Sequence, residues 1–252
     1  MTTPVSTSHR DGGGWSPEAV RALVECQGVS RRYGRGPAAV LALHQVSCTV
    51  RPGMRVAVTG PSGSGKSTLL HLMAGLDTPT GGQIGWPALG GLPTGRAGMV
   101  GVVFQGPSLL PALDVSENVA LPLLFDGATG PAAASAATQA LQRLGIDELA
   151  AKLPEELSGG QAQRVAVARV LASRPRLILA DEPTGQLDHA TGEQVVTVLL
   201  AAAGELDAAL VVATHDPTVT ARLDEQWQMR DGQLVVGEQH PTEHSLWNGS
   251  SQ

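Results

Sequence analysis

The sequence predicts an α/β fold organised around a parallel sheet, and three observations carry that reading. Gly60-Pro61-Ser62-Gly63-Ser64-Gly65-Lys66-Ser67-Thr68 fits G-x-x-x-x-G-K-[ST] at every fixed position, with an apolar strand-like run (56–59) before it and a helix-compatible run (68–74) after it. Four apolar segments end in polar or reactive groups: the glycine loop after Thr59, Gln105 after Phe104, Asp181-Glu182 after Ala180, and His215 after Thr214. In an open parallel sheet, ligands bind beyond the carboxyl ends of the strands, so these segments point to one edge. Leu157-Ser158-Gly159-Gly160-Gln161 heads a run to Ala172 that is free of Pro and Gly after Gly160, as a helix start requires.

The remaining elements follow in chain order. Residues 1–21 read as a disordered tail with Gly12-Gly13-Gly14 in its middle. Leu23–Gln27, Val40–Leu43 and Gln45–Val50 read as strands, and Pro52-Gly53 as a turn. Thr78-Pro79-Thr80-Gly81-Gly82 closes the helical region behind the glycine loop, and 85–98 is Gly/Pro-rich and compact. Met99–Phe104 reads as a buried strand. Residues 106–172 read as mostly helical, with an Ala-rich amphipathic segment over 131–144. Strand 177–180, helix 191–203 and strand 209–214 come next, and Asp231-Gly232 marks a hairpin between 226–230 and 233–236. Residues 238–252 read as a loose tail, and the sequence contains no internal repeat.

The residue types at the predicted edge suit phosphate chemistry. Backbone N–H groups of the glycine loop cradle phosphates, Lys66 reaches the β/γ-phosphates, and Ser67 ligates Mg²⁺. Lys66 and Lys152 are the only lysines, so a lysine here answers a chemical need better than a solubility one. Asp181 suits a Mg²⁺ contact, and Glu182 a general base that polarises the attacking water; the alternative for both is a helix cap or surface pair. Gln105 would orient the water or ligate Mg²⁺ through its carbonyl oxygen. His215 would contact the γ-phosphate or serve as a structural group. Tyr33, the sole tyrosine, would stack on adenine or simply pack. Asp188 reads as a turn, a helix cap or a contact across a dimer seam. The Ser158 hydroxyl with the N–H groups of Gly159, Gly160 and Gln161 offers a second anion site at a helix start. One chain cannot easily bring two distant phosphate sites onto one nucleotide; two chains arranged head to tail can.

Composition narrows the class. A chain of 252 residues, 42% hydrophobic and 16% charged, is globular. A net charge of −6 argues against a nucleic-acid partner. No apolar run approaches the ~20 residues of a membrane span, and the N-terminus lacks the apolar stretch of a signal peptide. Cys26 and Cys48 read as small buried hydrophobes, not a disulfide or metal site. The expected location is therefore the cytoplasm, with any membrane role supplied by a partner.

Taken in order, these motifs resemble the nucleotide-binding subunit of an ATP-binding-cassette (ABC) transporter over residues 22–236. The resemblance implies the ABC ATPase fold: a P-loop NTPase core with a parallel sheet, an N-terminal antiparallel β subdomain and an inserted α-helical subdomain, within a 22–237 domain whose helical part covers about 106–172. By resemblance, Gly60–Thr68 is the Walker A loop, Tyr33 the adenine platform, Gln105 the Q-loop glutamine and Leu157–Gln161 the signature. Likewise Asp181 closes the Walker B strand, Glu182 is the catalytic glutamate, Asp188 the D-loop aspartate and His215 the switch histidine. The implied cofactors are ATP and Mg²⁺. The implied partners are a second cassette, head to tail, and a membrane permease docking near 106–125 that holds the chain at the inner face of the membrane. Phe104–Leu113, Ser116–Leu123, Gly75–Gly82 and Asp181–Gly185 are similar to the lipoprotein-release and macrolide-export subgroup, which implies export, lipoprotein release or mechanotransmission to cell-envelope enzymes. The stretch from Ile84 to Met99 is shorter than that subgroup usually has and lacks its charged helix. A soluble cassette ATPase of translation or DNA repair is the alternative; such proteins usually carry fused cassettes or a coiled-coil arm, and no long heptad run is present here.

Overall fold

The computed structural model describes residues 21–96, 98–185 and 187–236. Apart from Arg21, the two expected tails lie outside these residues. The fold class matches the sequence reading: a six-stranded, mainly parallel sheet, a separate three-stranded antiparallel sheet, and a layer of helices.

The strands are β1 (Val24–Tyr33), β2 (Val40–Val50), β3 (Arg55–Thr59), β4 (Gly81–Gly85), β5 (Val100–Val103), β6 (Leu177–Asp181), β7 (Ala209–Ala213), β8 (Glu225–Arg230) and β9 (Gln233–Val236). The helices are α1 (Lys66–Met73), α2 (Val115–Phe125), α3 (Gly130–Arg143), α4 (Gly159–Ala172), α5 (His189–Leu206) and the single turn α6 (Pro217–Thr220). The large sheet runs β5-β6-β7-β3-β8-β9, parallel except for the final β8–β9 hairpin. That hairpin turns through Asp231 (φ 49°) and Gly232 (φ 75°), the paired left-handed residues that a two-residue turn requires. The small sheet runs β2-β1-β4, all antiparallel.

Period-two alternation of the central strands divides the interior into two cores. Ile178, Ala180, Leu210 and Val212 point into the helical layer with Val115, Val119, Ala137, Val165 and Leu199. Leu177, Leu179, Val211, Val56 and Val58 point the other way, against α1 and the small sheet, meeting Leu69, Leu72, Val29 and Val50. Strands covered on both faces read as continuous apolar runs, which is how β3, β6 and β7 read in the sequence.

Three expectations need correction. The two strands expected at 40–43 and 45–50 are one strand, β2, kept continuous through Gln45, whose left-handed backbone (φ 49°) absorbs an irregularity in its pairing with β1. Gly81-Gly82 does not merely end a helical region: it opens β4, which pairs Ile84 with Cys26. Residues 106–114 are not helical; α2 begins at Val115 behind an Asp114 capping box. The buried Asn118 side chain holds the preceding turn, accepting from Leu110 N (2.8 Å) and donating to the carbonyls of Leu110 (3.1 Å), Leu113 (2.9 Å) and Asp114 (3.0 Å).

Cys26 and Cys48 are opposite one another in register on β1 and β2, both free and buried. Hydrogen bonding between the thiols, together with burial, pushes the Cys48 thiol well up, so it remains a thiol. The short stretch after β4 is secured by long-range bonds: Trp86 Nε1 donates to the Met73 carbonyl (2.7 Å) and Arg176 Nη1 to the Ala88 carbonyl (2.6 Å).

Candidate functional site

The carboxyl ends of four neighbouring strands define the site. Register aligns Val58 of β3, Ala213 of β7 and Asp181 of β6 on one level, with Val103 of β5 beside Ala180. Parallel pairing continues one step beyond the strands: Thr214 N donates to the Val58 carbonyl (3.0 Å) and Glu182 N to the Ala213 carbonyl (2.9 Å). The loops carrying Gly60–Ser67, Gln105, Glu182 and His215 therefore leave the sheet side by side.

The glycine loop closes tightly. Gly60 (φ 146°) and Gly65 (φ 102°) occupy conformations closed to other residues, and any Cβ on Gly60 would strike the Met229 carbonyl. Gly65 starts α1 without any side-chain cap, so the first N–H groups of α1 have no intrahelical acceptor and remain available to an anion. Lys66 is 5% exposed, and its ammonium donates to the carbonyls of Gly60 (2.9 Å) and Pro61 (3.1 Å). It also lies 3.7 Å from Glu182 Oε1, while His215 Nδ1 lies 3.4 Å from Glu182 Oε2. A Cβ built on Gly185 would fall 3.3 Å from Glu182 Oε2 and 3.6 Å from Gln105 Nε2, so both side chains converge on Gly185's open face. The structure thus brings together Lys66, Glu182, His215 and Gln105.

Asp181 is 8% exposed, and its Oδ1 has no hydrogen-bond partner. An orphaned buried carboxylate oxygen costs free energy unless a ligand satisfies it. A hard divalent cation would satisfy that oxygen. Among the described residues, no group of three or more His, Cys, Asp or Glu could hold a metal.

The other predicted residues lie apart from this cluster. Ser158 caps α4: its hydroxyl accepts from Gln161 N (3.2 Å), and Gln161 Oε1 accepts in return from Ser158 N (2.9 Å). The hydroxyl hydrogen of Ser158 remains free to donate, whereas the Gln161 carbonyl is committed to the cap. Gly160 abuts α5, where a Cβ would come 2.7 Å from Thr191 Cγ2. Asp188 caps α5, accepting from Thr191 N (3.0 Å) and Thr191 Oγ1 (2.7 Å). Among the described residues, no hydrogen bond or ion pair joins Ser158, Gly160 or Asp188 to Lys66 or Glu182. Tyr33 ends β1, paired with Val40; the β2 residue Ala42, two positions along, abuts Gly65. Strand spacings separate Tyr33 from that contact by about 8 Å.

Four supporting residues escaped the sequence reading. Gln163, 2% exposed, donates to the Phe104 carbonyl (3.0 Å), and Arg169 donates to the carbonyls of Pro107 (3.0 Å) and Ser108 (2.8 Å). Both belong to α4 and hold the segment around Gln105. Burial lowers the Arg169 pKa, and the carbonyl dipoles are the partners found for its charge. Arg31 and Asp77 bracket Tyr33. A glutamine on the buried stripe of α4 was the available signal for Gln163; no local pattern marks the other three.

A cleft of about 430 Å³, lined by Val102 and Phe104 on one side and Leu121, Pro122 and Phe125 on the other, lies between the sheet and α2. Phe125 is 82% exposed. Among the described residues, no helix is long and apolar enough to cross a membrane.

A family model for ABC transporters matches residues 43–185. The lipoprotein-releasing system ATP-binding protein LolD of Shewanella sp. (strain MR-4) is 40% identical over 225 residues, covering 86% of this chain and 97% of the relative. LolD of Pseudomonas syringae pv. tomato is 40% identical over 225 residues, covering 85% and 98%. Among solved structures, the dimeric post-hydrolysis state of the ATP-binding cassette MJ0796 bound to ADP and Pi superposes with a TM-score of 0.77 at 34% identity, covering 86% of this chain and 98% of that one. The cassette cbiO1 from Clostridium perfringens, part of the ABC transporter complex cbiONQ, gives 0.72 at 27% identity, covering 85% and 87%. The matches run through the glycine loop, the acidic strand end and the capped α4 start, and the chain belongs to the ABC transporter family as an ATP-binding and ATP-hydrolysing cassette.

Proposed function

We propose that this cassette drives lipoprotein release: it pairs head to tail with a second cassette and transmits ATP binding to a membrane permease, which holds it at the cytoplasmic face of the membrane. The observation that carries the catalytic part is the convergence of Lys66 and His215 on Glu182 at one sheet edge, with Gln105 beside the same glycine, Gly185. Support for the cargo comes from relatives of that name at 40% identity. On this reading the cassette spans 22–237, with 106–172 as its helical insertion.

Each residue then has a task. The free N–H groups at the α1 start and Lys66 hold the phosphates. Tyr33 takes the adenine. Ser67, Asp181 and the Gln105 carbonyl oxygen would hold Mg²⁺, which when bound would supply positive charge against the phosphates. Glu182 accepts the proton of the attacking water; His215 Nδ1 holds that carboxylate in place, and His215 contacts the γ-phosphate. Ser158 and the N–H groups after it supply a second anion site to the nucleotide of the partner cassette, and Asp188 lies at the seam.

The permease occupies the cleft between β5 and α2. Within 106–125, the apolar surface it meets comprises Leu121, Pro122 and Phe125 together with the exposed Leu110, whereas Leu109 packs against the core. Phe125→Glu tests both halves of the proposal. Because Phe125 is exposed, the isolated chain should fold and hydrolyse ATP within about twofold of the parent. Release of lipoproteins from inner-membrane preparations should stop. Undiminished release would contradict this docking site; release of another substrate class by the parent would contradict the cargo.

A further inference from the structure

We propose that Arg31 and Asp77 are positioning residues that turn Tyr33 into a preformed, one-sided platform for the nucleotide base. The inference rests on the reading of Tyr33 as the adenine contact and adds what holds the ring there. A tyrosine at a strand end, 40% exposed, would ordinarily lose side-chain freedom only when a ligand ordered it. Here the ring is already fixed at both its edge and one face. Its hydroxyl donates to Asp77 Oδ2 at 2.8 Å. Arg31 lies two residues earlier on the same strand. Its guanidinium carbon sits 4.5 Å from the Tyr33 ring centroid.

Asp77 joins the two. Arg31 Nε donates to Asp77 Oδ2 (2.8 Å) and Arg31 Nη2 lies 2.7 Å from Oδ1, the two-pronged contact that fixes a guanidinium in plane. Thr78 N also donates to Oδ1 (2.7 Å), so the carboxylate itself is held. The guanidinium covers one face of the ring and leaves the opposite face for a purine. A bound base would form the third layer of an Arg31–Tyr33–base stack. Asp77 follows α1, the helix that begins at Lys66, so the same three residues connect the base platform to the phosphate-binding helix.

A platform ordered before binding removes an ordering cost that acts on the base alone. Binding of MgATP and of magnesium tripolyphosphate, which has no base, separates this effect from damage to the phosphate site. Asp77→Ala should weaken ATP roughly 3- to 10-fold and leave tripolyphosphate unchanged. Tyr33→Phe, which deletes only the hydroxyl and leaves the loop untouched, should do the same, and the double variant should be no worse than either. Arg31→Lys should recover part of the loss seen in Arg31→Ala. Equal weakening of both ligands, or additive effects in the double variant, would overturn the proposal. So would unchanged ATP affinity in Asp77→Ala and Tyr33→Phe when Tyr33→Ala weakens ATP; in that case the platform stands and its positioning does not. Unchanged ATP affinity in Tyr33→Ala removes the platform itself and the proposal with it.

Discussion

Glu182 sits in a left-handed backbone conformation, φ 43°, that a non-glycine residue adopts at a cost of about 1–3 kcal/mol. The fold holds it there through the Glu182 N–Ala213 carbonyl bond, and the result is a carboxylate aimed between Lys66 and His215. Lys66 is the complementary case. Its buried ammonium rests on two loop carbonyls, and on the proposed reading it would exchange them for phosphate oxygens. Loss of one charged hydrogen-bonding group costs about 1.5–3 kcal/mol, so Lys66→Ala should weaken ATP binding roughly 10- to 100-fold. Titration calorimetry checks this, and unchanged affinity would remove Lys66 from the phosphate site. These residues were legible in the sequence because each lies next to an apolar strand that reads clearly by itself. Arg31, Asp77 and Arg169 were not: their partners lie 46 and about 60 residues away, and nothing in the local pattern marks contacts over that distance.

At the scale of elements, capping decides where the functional loops end and helices begin. The strands and helices with strong periodicity were legible, as was Ser158 at the head of α4. β4 was not, because Gly81, Gly82 and Gly85 provide almost no β-forming side chains; the strand exists through its pairing with β1. The bulged β2 split in the reading for a related reason: Gln45 interrupts the alternation that the sheet tolerates. The turn carrying His215 depends on Asp216, whose backbone N–H donates to Thr214 Oγ1 (3.0 Å) and whose carboxylate caps α6 through Thr218 N (2.8 Å). Hydrogen bonds from the Thr218 side chain and backbone, which outweigh burial, hold the Asp216 pKa below its ordinary 3.8. A depressed carboxylate contributes stability that is full above the unfolded value and is lost as pH falls through the folded one. Asp216→Ala should therefore lower stability by about 1 kcal/mol at neutral pH. In thermal or denaturant melts, the gap from the parent should be constant down to about pH 5 and close below the unfolded value. A gap that widened on acidification would contradict the cap.

At the scale of the molecule, the sheet separates the glycine loop from Ser158 and the start of α4. The glycine loop follows β3, whereas α4 packs against β5, three strands away, or about 14 Å of sheet. A second chain, inverted, would bring its own Ser158 to the first chain's nucleotide. Glu182→Gln keeps the shape of the site but removes the base, which should slow hydrolysis about 10²- to 10⁴-fold and leave ATP trapped. The mass of Glu182→Gln in solution, measured with saturating ATP and Mg²⁺, tests this arrangement most directly. A head-to-tail sandwich requires an ATP-dependent dimer that Ser158→Arg abolishes while the chain remains folded; a monomer that retains bound ATP, or a dimer indifferent to Ser158→Arg, would contradict it.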